Sequence, residues 1–147
     1  MSARQAAVVQ PEGQPVTQAD YQTLARFRRA LRAFLRFSEE AARAAGLTPA
    51  QHQLLLAIKG AESGQPPTIA EVADSLKVRH HSAVELVDRA VAAGFVVREA
   101  DPHDARYQRL VLTADGEAKL ARLSVAHREE LRRFREQMSV LESLTSS

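Results

Sequence analysis

The chain contains no cysteine. Its absence excludes disulfides, thiolate nucleophiles, cysteine-based zinc sites and thiol redox sensing. The sequence also lacks a run of about 18 apolar residues, which a membrane-spanning helix needs, and its N-terminus has no apolar signal-peptide core. We therefore expect a cytoplasmic protein with no membrane partner.

Motifs of catalysis and metal binding are equally scarce. We find no Gly-rich phosphate loop, no nucleophile elbow and no convincing pair of carboxylates. His80 and His81 are adjacent, but neighbouring side chains on a helix point about 100° apart and do not easily share one ion. The sequence therefore predicts no catalytic residue, no cofactor and no metal site.

Lysine is rare, because only three of the twenty Lys and Arg residues are lysine. The planar guanidinium of arginine suits phosphates and base edges, but a GC-rich genome produces the same bias without functional meaning. The net charge of +2 does not decide between these interpretations. The positions of the arginines must decide.

The 147 residues, 45% of them hydrophobic, suffice for one compact folding unit with its own core. Residues 1–17 are rich in Gln, Ala, Pro and Gly and have no apolar periodicity, so we expect a mobile arm there. From about Asp20 to Ala45 the spacing predicts a long helix that Gly46 ends. Its apolar stripe comprises Tyr21, Leu24, Leu31, Phe34, Leu35 and Ser38.

Three further helices are indicated by their caps. Thr48 followed by Pro49 opens a helix whose buried face is formed by Leu54, Leu55 and Ile58. The stretch 68–71, Thr-Ile-Ala-Glu, has the pattern of a capping box and starts a short helix. After a break of a few residues, a helix from about His80 to Ala93 places Val84, Val87 and Val91 on its core face, and Gly94 ends it. Two helices joined by such a tight turn predict a helix-turn-helix.

Two short β-rich runs follow, at residues 95–98 and 110–113, around a polar tip that begins with Asp101 and Pro102. This pattern predicts a hairpin, or wing, with charge at its end. Thr113 can cap a last long helix. Its apolar seam comprises Leu120, Leu123, His127, Leu131, Phe134, Met138 and Leu141. The fold class is therefore mainly α with a small β-hairpin.

The stretch from His80 to Leu120 resembles the recognition helix and wing of the MarR family of winged helix-turn-helix transcriptional regulators. The resemblance implies a homodimer on double-stranded DNA, with a winged domain at 47–113 and a dimerisation region formed by 18–46 and 114–147. The chain departs from the family pattern in three places. Arg79 stands where a capping Ser is usual, so we expect His81 or Ser82 to share the cap. Ala105 replaces a second wing arginine, and the last helix ends early, at about Leu144.

Spacing and resemblance together assign the DNA-contacting residues. The predicted base contacts are His80, His81, Ser82 and Glu85. Arg106 is expected in the minor groove, with Asp101 and Asp104 turning the hairpin and orienting it. Arg79, Arg98 and Arg109 are expected at phosphates. Two alternatives stay open: Glu85 can instead pair with Arg89, and the arginines can instead form a solvated surface.

The resemblance also implies a pocket for an effector, here a small aromatic or phenolic molecule. The candidate pocket residues are Tyr21, Phe27, His52, Leu55 and His127. Simple core packing is the better explanation for each of these residues, because any core contains aromatic and apolar residues at helical spacing. The predicted dimer contacts are Leu24, Leu31, Phe134, Met138 and Leu141, and His127 is a hydrogen-bonded residue that could make the dimer sensitive to pH.

Two functions follow. The first is a sequence-specific DNA-binding regulator, most simply a repressor, on a pseudo-palindromic operator. The alternative is a winged-helix module that binds proteins and has lost specific DNA readout, which the absent Ser cap, the missing wing arginine and the modest net charge favour.

Overall fold

A computed structural model describes residues 13–139. Within this range the elements are α1 (Gln18–Ala44), α2 (Pro49–Lys59), α3 (Ile69–Leu76), α4 (His80–Ala92), β1 (Val96–Ala100), β2 (Gln108–Leu112) and α5 (Ala114–Met138). The predicted fold class, mainly α with a small β-hairpin, is confirmed. Residues 1–12 of the predicted arm and the predicted dimer contact Leu141 lie outside the described residues. No helix in the described range combines the length and apolarity of a membrane span.

Threonine side chains start four of these five helices, because each accepts a hydrogen bond from the backbone N–H three residues later. These residues are Thr17, Thr48, Thr68 and Thr113. The capping box predicted at Thr68 is only half formed. The Glu71 backbone donates to Thr68, but the Glu71 carboxylate lies 3.9 Å from Nη1 of Arg109 instead of closing the box.

Left-handed backbone conformations end three of the helices. Gly46 and Gly94 have φ angles of 80° and 83°, as the sequence predicts for helix stops. Lys77, with φ 56°, takes the same conformation between α3 and α4 although it carries a Cβ. This strained residue makes the turn between α3 and α4 short. The short turn fixes the orientation of α4 relative to α3.

The core lies where α2 to α5 meet the hairpin. Leu54 and Leu55 of α2, Val87 of α4 and Leu110 of β2 are completely buried. Ile58 is buried as predicted, and on α4 the predicted Val84 and Val91 are half-buried. The rest of the buried face of α4 is formed by Ala83 and Ala90. Their small side chains allow α4 to pack closely on the core.

Helices α1 and α5 run antiparallel along each other. The ring of Phe134 lies 6.5 Å from that of Phe27 and 5.7 Å from that of Phe34, and Nζ of Lys119 donates to the Ala45 carbonyl at 2.8 Å. The apolar stripe predicted on α1 is only partly buried in one chain. Ser38 is buried and Phe34 half-buried, whereas three apolar members of the stripe are exposed in one chain: Tyr21, Leu24 and Leu35.

The two strands pair antiparallel, with Val96 opposite Leu112 and Ala100 opposite Gln108. Both strands reach two residues closer to the tip than predicted, and Phe95 lies before β1 with its side chain buried. A third extended segment joins them: Leu110 N–H donates to the Pro67 carbonyl at 2.8 Å, and Thr68 forms an isolated bridge with Arg109. This bridge was not predicted from the sequence, although Pro66 followed by Pro67 favours an extended backbone there.

Candidate nucleic-acid interface

Helix α4 exposes one face to solvent beside the wing. Its buried residues, Ala83, Val87 and Ala90, lie on one side. The 3.6-residue period puts His81, Glu85 and Arg89 on the other side, and all three are exposed. We call these three residues the outer face of α4. His80 is also exposed, whereas Ser82 is half-buried, so the four predicted base-contact residues do not share one face.

Arg89 was not assigned a role from the sequence beyond a pairing with Glu85. The ion pairs found among residues 13–139 do not include these two side chains. Arg89 therefore belongs with His81 and Glu85 as a group that can contact DNA. Its position four residues after Glu85 is the signal that could have identified it.

The start of α4 has no side-chain cap. Arg79 occupies the N-cap position with an extended backbone, and no side chain accepts a hydrogen bond from the first turn. The expectation that His81 or Ser82 would share this cap was wrong. Arg79 itself is exposed, next to the first turn of the helix.

The tip of the wing is held in shape by two aspartates. Asp101 Oδ1 accepts from the backbone N–H groups of His103 and Asp104, at 2.8 and 3.1 Å. Asp104 accepts from the backbone N–H and from Nε and Nη2 of Arg106, the last at 2.7 Å. The guanidinium of Arg106 nevertheless remains 85% exposed. The tip therefore holds a cation toward solvent with its direction restricted.

These contacts have electrostatic consequences. The backbone N–H of His103, followed by the guanidinium of Arg109, lowers the pKa of Asp101. The side chain of Arg106 lowers the pKa of Asp104, and Asp104 in turn raises the pKa of Arg106. Both aspartates are therefore ionised at neutral pH and hold their cations in place.

Two of the arginines predicted at phosphates are engaged inside the protein. Nε of Arg109 donates to Asp101 at 2.7 Å and Nη1 donates to the Pro66 carbonyl at 2.9 Å. Arg98 pairs with Asp88 and so ties β1 to α4, while its Nε is buried without a hydrogen-bond partner among the described residues. Asp101 was expected to orient Arg106, but in the structure it holds Arg109. Phosphate contact by Arg98 or Arg109 stays a prediction.

A groove separates the wing from the start of α3. It is lined by Thr68, Ile69, Ala70, Glu71, His80 and residues 105–109. The exposed Tyr107 contributes its aromatic ring to this groove. Because His80 also lines it, the groove joins the first turn of α4 to the wing.

The charge of this region is modest. Residues 47–113 contain seven Lys and Arg against eight Asp and Glu, a net charge of −1. Five of these cations form ion pairs within the chain: Lys59, Lys77, Arg98, Arg106 and Arg109. Any DNA affinity of the region must therefore come from a few placed cations rather than from a broad basic patch.

The five candidate effector residues do not form one site. His52 and Leu55 are buried, His127 packs beside His52, and Phe27 stacks near Phe134. Tyr21 is exposed and lies 17 residues before the buried Ser38 on α1, about 25 Å along the helix. None of these residues belongs to a group of three or more metal-ligating side chains within residues 13–139.

The predicted dimer contacts are partly exposed in the single chain. Leu24 is 48% exposed, while Leu31, Phe134 and Met138 are half-buried. The exposed Leu131 lies between His127 and Phe134 on α5. This apolar surface lies on the two helices that flank the winged part.

Residues 45–106 match the sequence model of the MarR family. A stretch of 68 residues, 45% of this chain, is 37% identical to the LexA repressor of Magnetococcus marinus. The match spans only 29% of that repressor's length.

Solved structures extend the similarity over most of the chain. AbsC, a MarR family transcriptional regulator from Streptomyces coelicolor, has a TM-score of 0.66 at 17% identity, over 91% of this chain and 97% of AbsC. A variant of S. aureus MepR bound to an oligodeoxyribonucleotide has a TM-score of 0.64 at 17% identity, over 90% and 96% of the two chains.

CouR from Rhodococcus jostii RHA1, bound to p-coumaroyl-CoA, has a TM-score of 0.63 at 21% identity, over 80% of this chain and 87% of CouR. At these identities the structural similarity shows a shared fold. Residues 45–106 are therefore similar to the MarR family, and the residues that the structure describes share the winged-helix fold of solved MarR family regulators.

Proposed function

We propose that this chain is a sequence-specific DNA-binding regulator of transcription that binds a pseudo-palindromic operator as a homodimer. The observation that carries the proposal is the exposed outer face of α4 beside a wing that holds Arg106 out to solvent. A helix of this kind fits the major groove, and a hairpin beside it reaches the flanking backbone or minor groove.

The outer face of α4 would provide direct base readout. His81 can donate to or accept from a base edge, and the Glu85 carboxylate can accept from the amino group of cytosine. Arg89 adds a cation that can reach a guanine or a phosphate. Ser82, being half-buried, and His80, which lines the groove next to the wing, would contact bases or phosphate at the edge of the site.

The wing would supply the minor-groove contact. A narrow A·T-rich minor groove concentrates negative potential, which attracts an inserted arginine. Asp104 directs Arg106 away from the body of the protein and so reduces the conformational freedom that it loses on binding. The oligodeoxyribonucleotide bound by a MepR variant supports DNA binding by the shared fold.

The apolar surface left on α1 and α5 supports a homodimer. Tyr21, Leu24, Leu35 and Leu131 are all about half exposed in one chain. A second copy related by a two-fold axis would cover the same residues on both chains. Two winged parts placed in this way reach half-sites about one helical turn of DNA apart.

Repression and release by an effector are the finer parts of the proposal. The similarity to a LexA repressor supports repression, and the p-coumaroyl-CoA bound to CouR supports an aromatic effector. An effector could insert among the aromatic rings between α1 and α5. It would release DNA only if it bound the form whose winged parts have the wrong spacing more tightly than it bound the DNA-binding form.

The test is selection of bound duplexes from a random DNA pool at near-physiological salt. An enriched inverted repeat with half-site centres about 10 bp apart is the expected result. The His81→Ala variant, selected in parallel, serves as the matched control and should enrich a different half-site.

The second candidate is a protein-binding module without specific readout, which the net charge of −1 over residues 47–113 favours. Enrichment of no sequence, with weak binding that disappears as salt rises, would support this candidate and contradict the first.

A further inference from the structure

Three polar side chains meet where α1, α2 and α5 pack together: Ser38, His52 and His127. We call them the histidine joint. His52 is 3% exposed, and its ring lies 4.8 Å from the ring of His127, measured between centroids. Phe34 and Phe37 of α1 close over His127, with centroids 6.1 and 5.3 Å away. Two imidazole side chains are therefore in contact in apolar surroundings.

The hydrogen bonds of His127 define its neutral form. Nδ1 lies 2.7 Å from the Leu123 carbonyl, and a carbonyl oxygen only accepts, so Nδ1 carries the proton. Nε2 lies 2.8 Å from Oγ of Ser38. In the neutral ring, therefore, the hydroxyl of Ser38 donates to Nε2. If His127 takes up a second proton, Nε2 becomes a donor and the hydroxyl of Ser38 must turn away to another acceptor.

His52 has no comparable means of accommodating charge. Its Nδ1 is buried and has no hydrogen-bond partner among residues 13–139. Burial, followed by the adjacent charge of His127, lowers the pKa of His52. The neutral form of the pair is therefore the form that fits the packed helices.

Among residues 13–139, no carboxylate forms an ion pair with His52 or His127. On α2 the only charged residue is Lys59 at the far end, where it pairs with Glu117. On α5, Glu130 lies one turn beyond His127 but pairs with Arg133 at 3.5 Å. On α1 the charged neighbours of Ser38 are Arg36, Glu39 and Glu40, all exposed, and Arg36 pairs with Glu40.

We propose that the histidine joint is a proton-sensitive connection, in which uptake of a proton loosens the winged part from α1 and α5 and so weakens DNA binding. This regulation rests on the proposed function. The joint connects α2, the first helix of the proposed winged domain, to both proposed dimerisation helices. In a dimer, that connection fixes the distance between the two winged parts. A looser connection therefore lowers the population of the form whose winged parts fit the two half-sites of the operator.

The first experiment uses the full chain without DNA. NMR titration of the histidine ring protons and thermal unfolding are followed between pH 8 and pH 5.5 for wild type, His52→Leu and His103→Gln. His103 is an exposed wing residue and serves as the matched control. Leu fits a buried apolar position, and it cannot take up a proton.

The pKa of His52 is lowered in the folded protein. The contribution of neutral His52 to the free energy of unfolding is therefore fully present above about pH 6.5 and is lost as the pH falls below that value. Wild type and His103→Gln should therefore lose Tm together on acidification, while His52→Leu loses less. If all three lose Tm equally, or wild type loses none, the joint is not proton-sensitive. The NMR titration decides the same question should His52→Leu fold poorly.

The second experiment measures affinity for the selected operator at pH 7.5 and pH 5.5. If the protein takes up one proton when it releases DNA, its affinity for DNA falls by at most about tenfold for each pH unit of acidification. Wild type and His52→Leu both retain His80 and His81 of the proposed DNA interface, so the difference between these two proteins isolates the joint. Wild type should lose several-fold more affinity than His52→Leu. Equal losses would overturn the regulation.

The two experiments separate the two proposals. Absence of specific DNA binding at both pH values would overturn the proposed function, and with it the regulation of DNA binding. The titration and the Tm of the free protein would then still decide whether the proton-sensitive joint exists.

Discussion

Nε of Arg109 lies 2.7 Å from Oδ2 of Asp101, and Nη1 of the same arginine donates to the carbonyl of Pro66. This guanidinium therefore joins the tip of the wing to the segment that precedes α3. Both side chains of the pair are largely buried, at 19% and 9% exposed. We infer that Arg109 affects DNA binding through the position of the wing.

We therefore predict that Arg109→Ala weakens DNA binding on every sequence without changing its salt dependence. A lost phosphate contact would lower the slope of log affinity against log salt by about one, whereas a displaced wing leaves the remaining phosphate contacts unchanged. Affinity measured at several salt concentrations distinguishes these cases. Arg109→Lys should behave almost like Arg109→Ala, because an ammonium cannot replace the two-pronged contact. A slope reduced by one in Arg109→Ala would show direct phosphate contact.

Arg106→Ala should have a different signature. The side chain is 85% exposed and its contacts in the free protein are to Asp104, so its loss leaves the fold intact. We expect a loss of about tenfold on operators with A·T-rich flanks and a much smaller loss on G·C-rich flanks, because only the narrow groove concentrates potential. Competition between the two operator types provides the measurement. Equal loss on both would place Arg106 at the phosphate backbone.

His81→Ala should change which half-site is preferred. His81 lies on the outer face of α4, away from the core, so the substitution removes a base contact without opening a cavity. Losing one direct base contact costs about 1 to 3 kcal/mol of discrimination at one base pair. Affinities for single-base variants of the operator show this as a reduced preference at one position in each half-site. A uniform loss at all positions would contradict the assignment.

The sequence predicted those parts of the fold that depend on local backbone chemistry. The threonine caps at Thr48 and Thr113 and the stops at Gly46 and Gly94 depend on side chains and φ angles within a few residues, so their pattern is visible in the chain. The hairpin strands were recognised for the same reason, with errors of two residues at their ends.

The candidate site was harder to predict, because its ion pairs join elements distant in sequence. Arg98 pairs with Asp88 of α4, and the sequence alone gives no means of choosing that partner over solvent or DNA. The division of the stripe on α1 into a buried and an exposed part could not be predicted for a related reason. Some apolar residues on α1 pack against α5 while others form an exposed surface. The periodicity of the sequence does not distinguish these two groups.

Gly116 provides a sharp test of the packing between α5 and the wing. A Cβ added at this position would lie 2.2 Å from the carbonyl oxygen of Phe95, a backbone atom that cannot move aside. We expect Gly116→Ala to reduce the free energy of unfolding by about 3 kcal/mol or more. The control is Gly64→Ala, where φ is 74° but nothing lies within 4 Å, and the cost should be about 1 kcal/mol. Urea unfolding of both variants measures the difference, and similar costs would show that α5 shifts freely.

Leu24 tests the proposed homodimer. Its side chain is 48% exposed in the single chain, so Leu24→Lys should leave the helix content and the core unchanged while placing a charge in the covered surface of a dimer. We expect the dimer dissociation constant to rise by about tenfold or more. Gln22→Lys, at an exposed position on the same helix, adds the same charge and should leave the dissociation constant nearly unchanged. Sedimentation velocity over a range of concentrations measures both. If Leu24→Lys dimerises as wild type does, the two copies meet through another surface, and the half-site spacing expected from α1 and α5 would have to be abandoned with it.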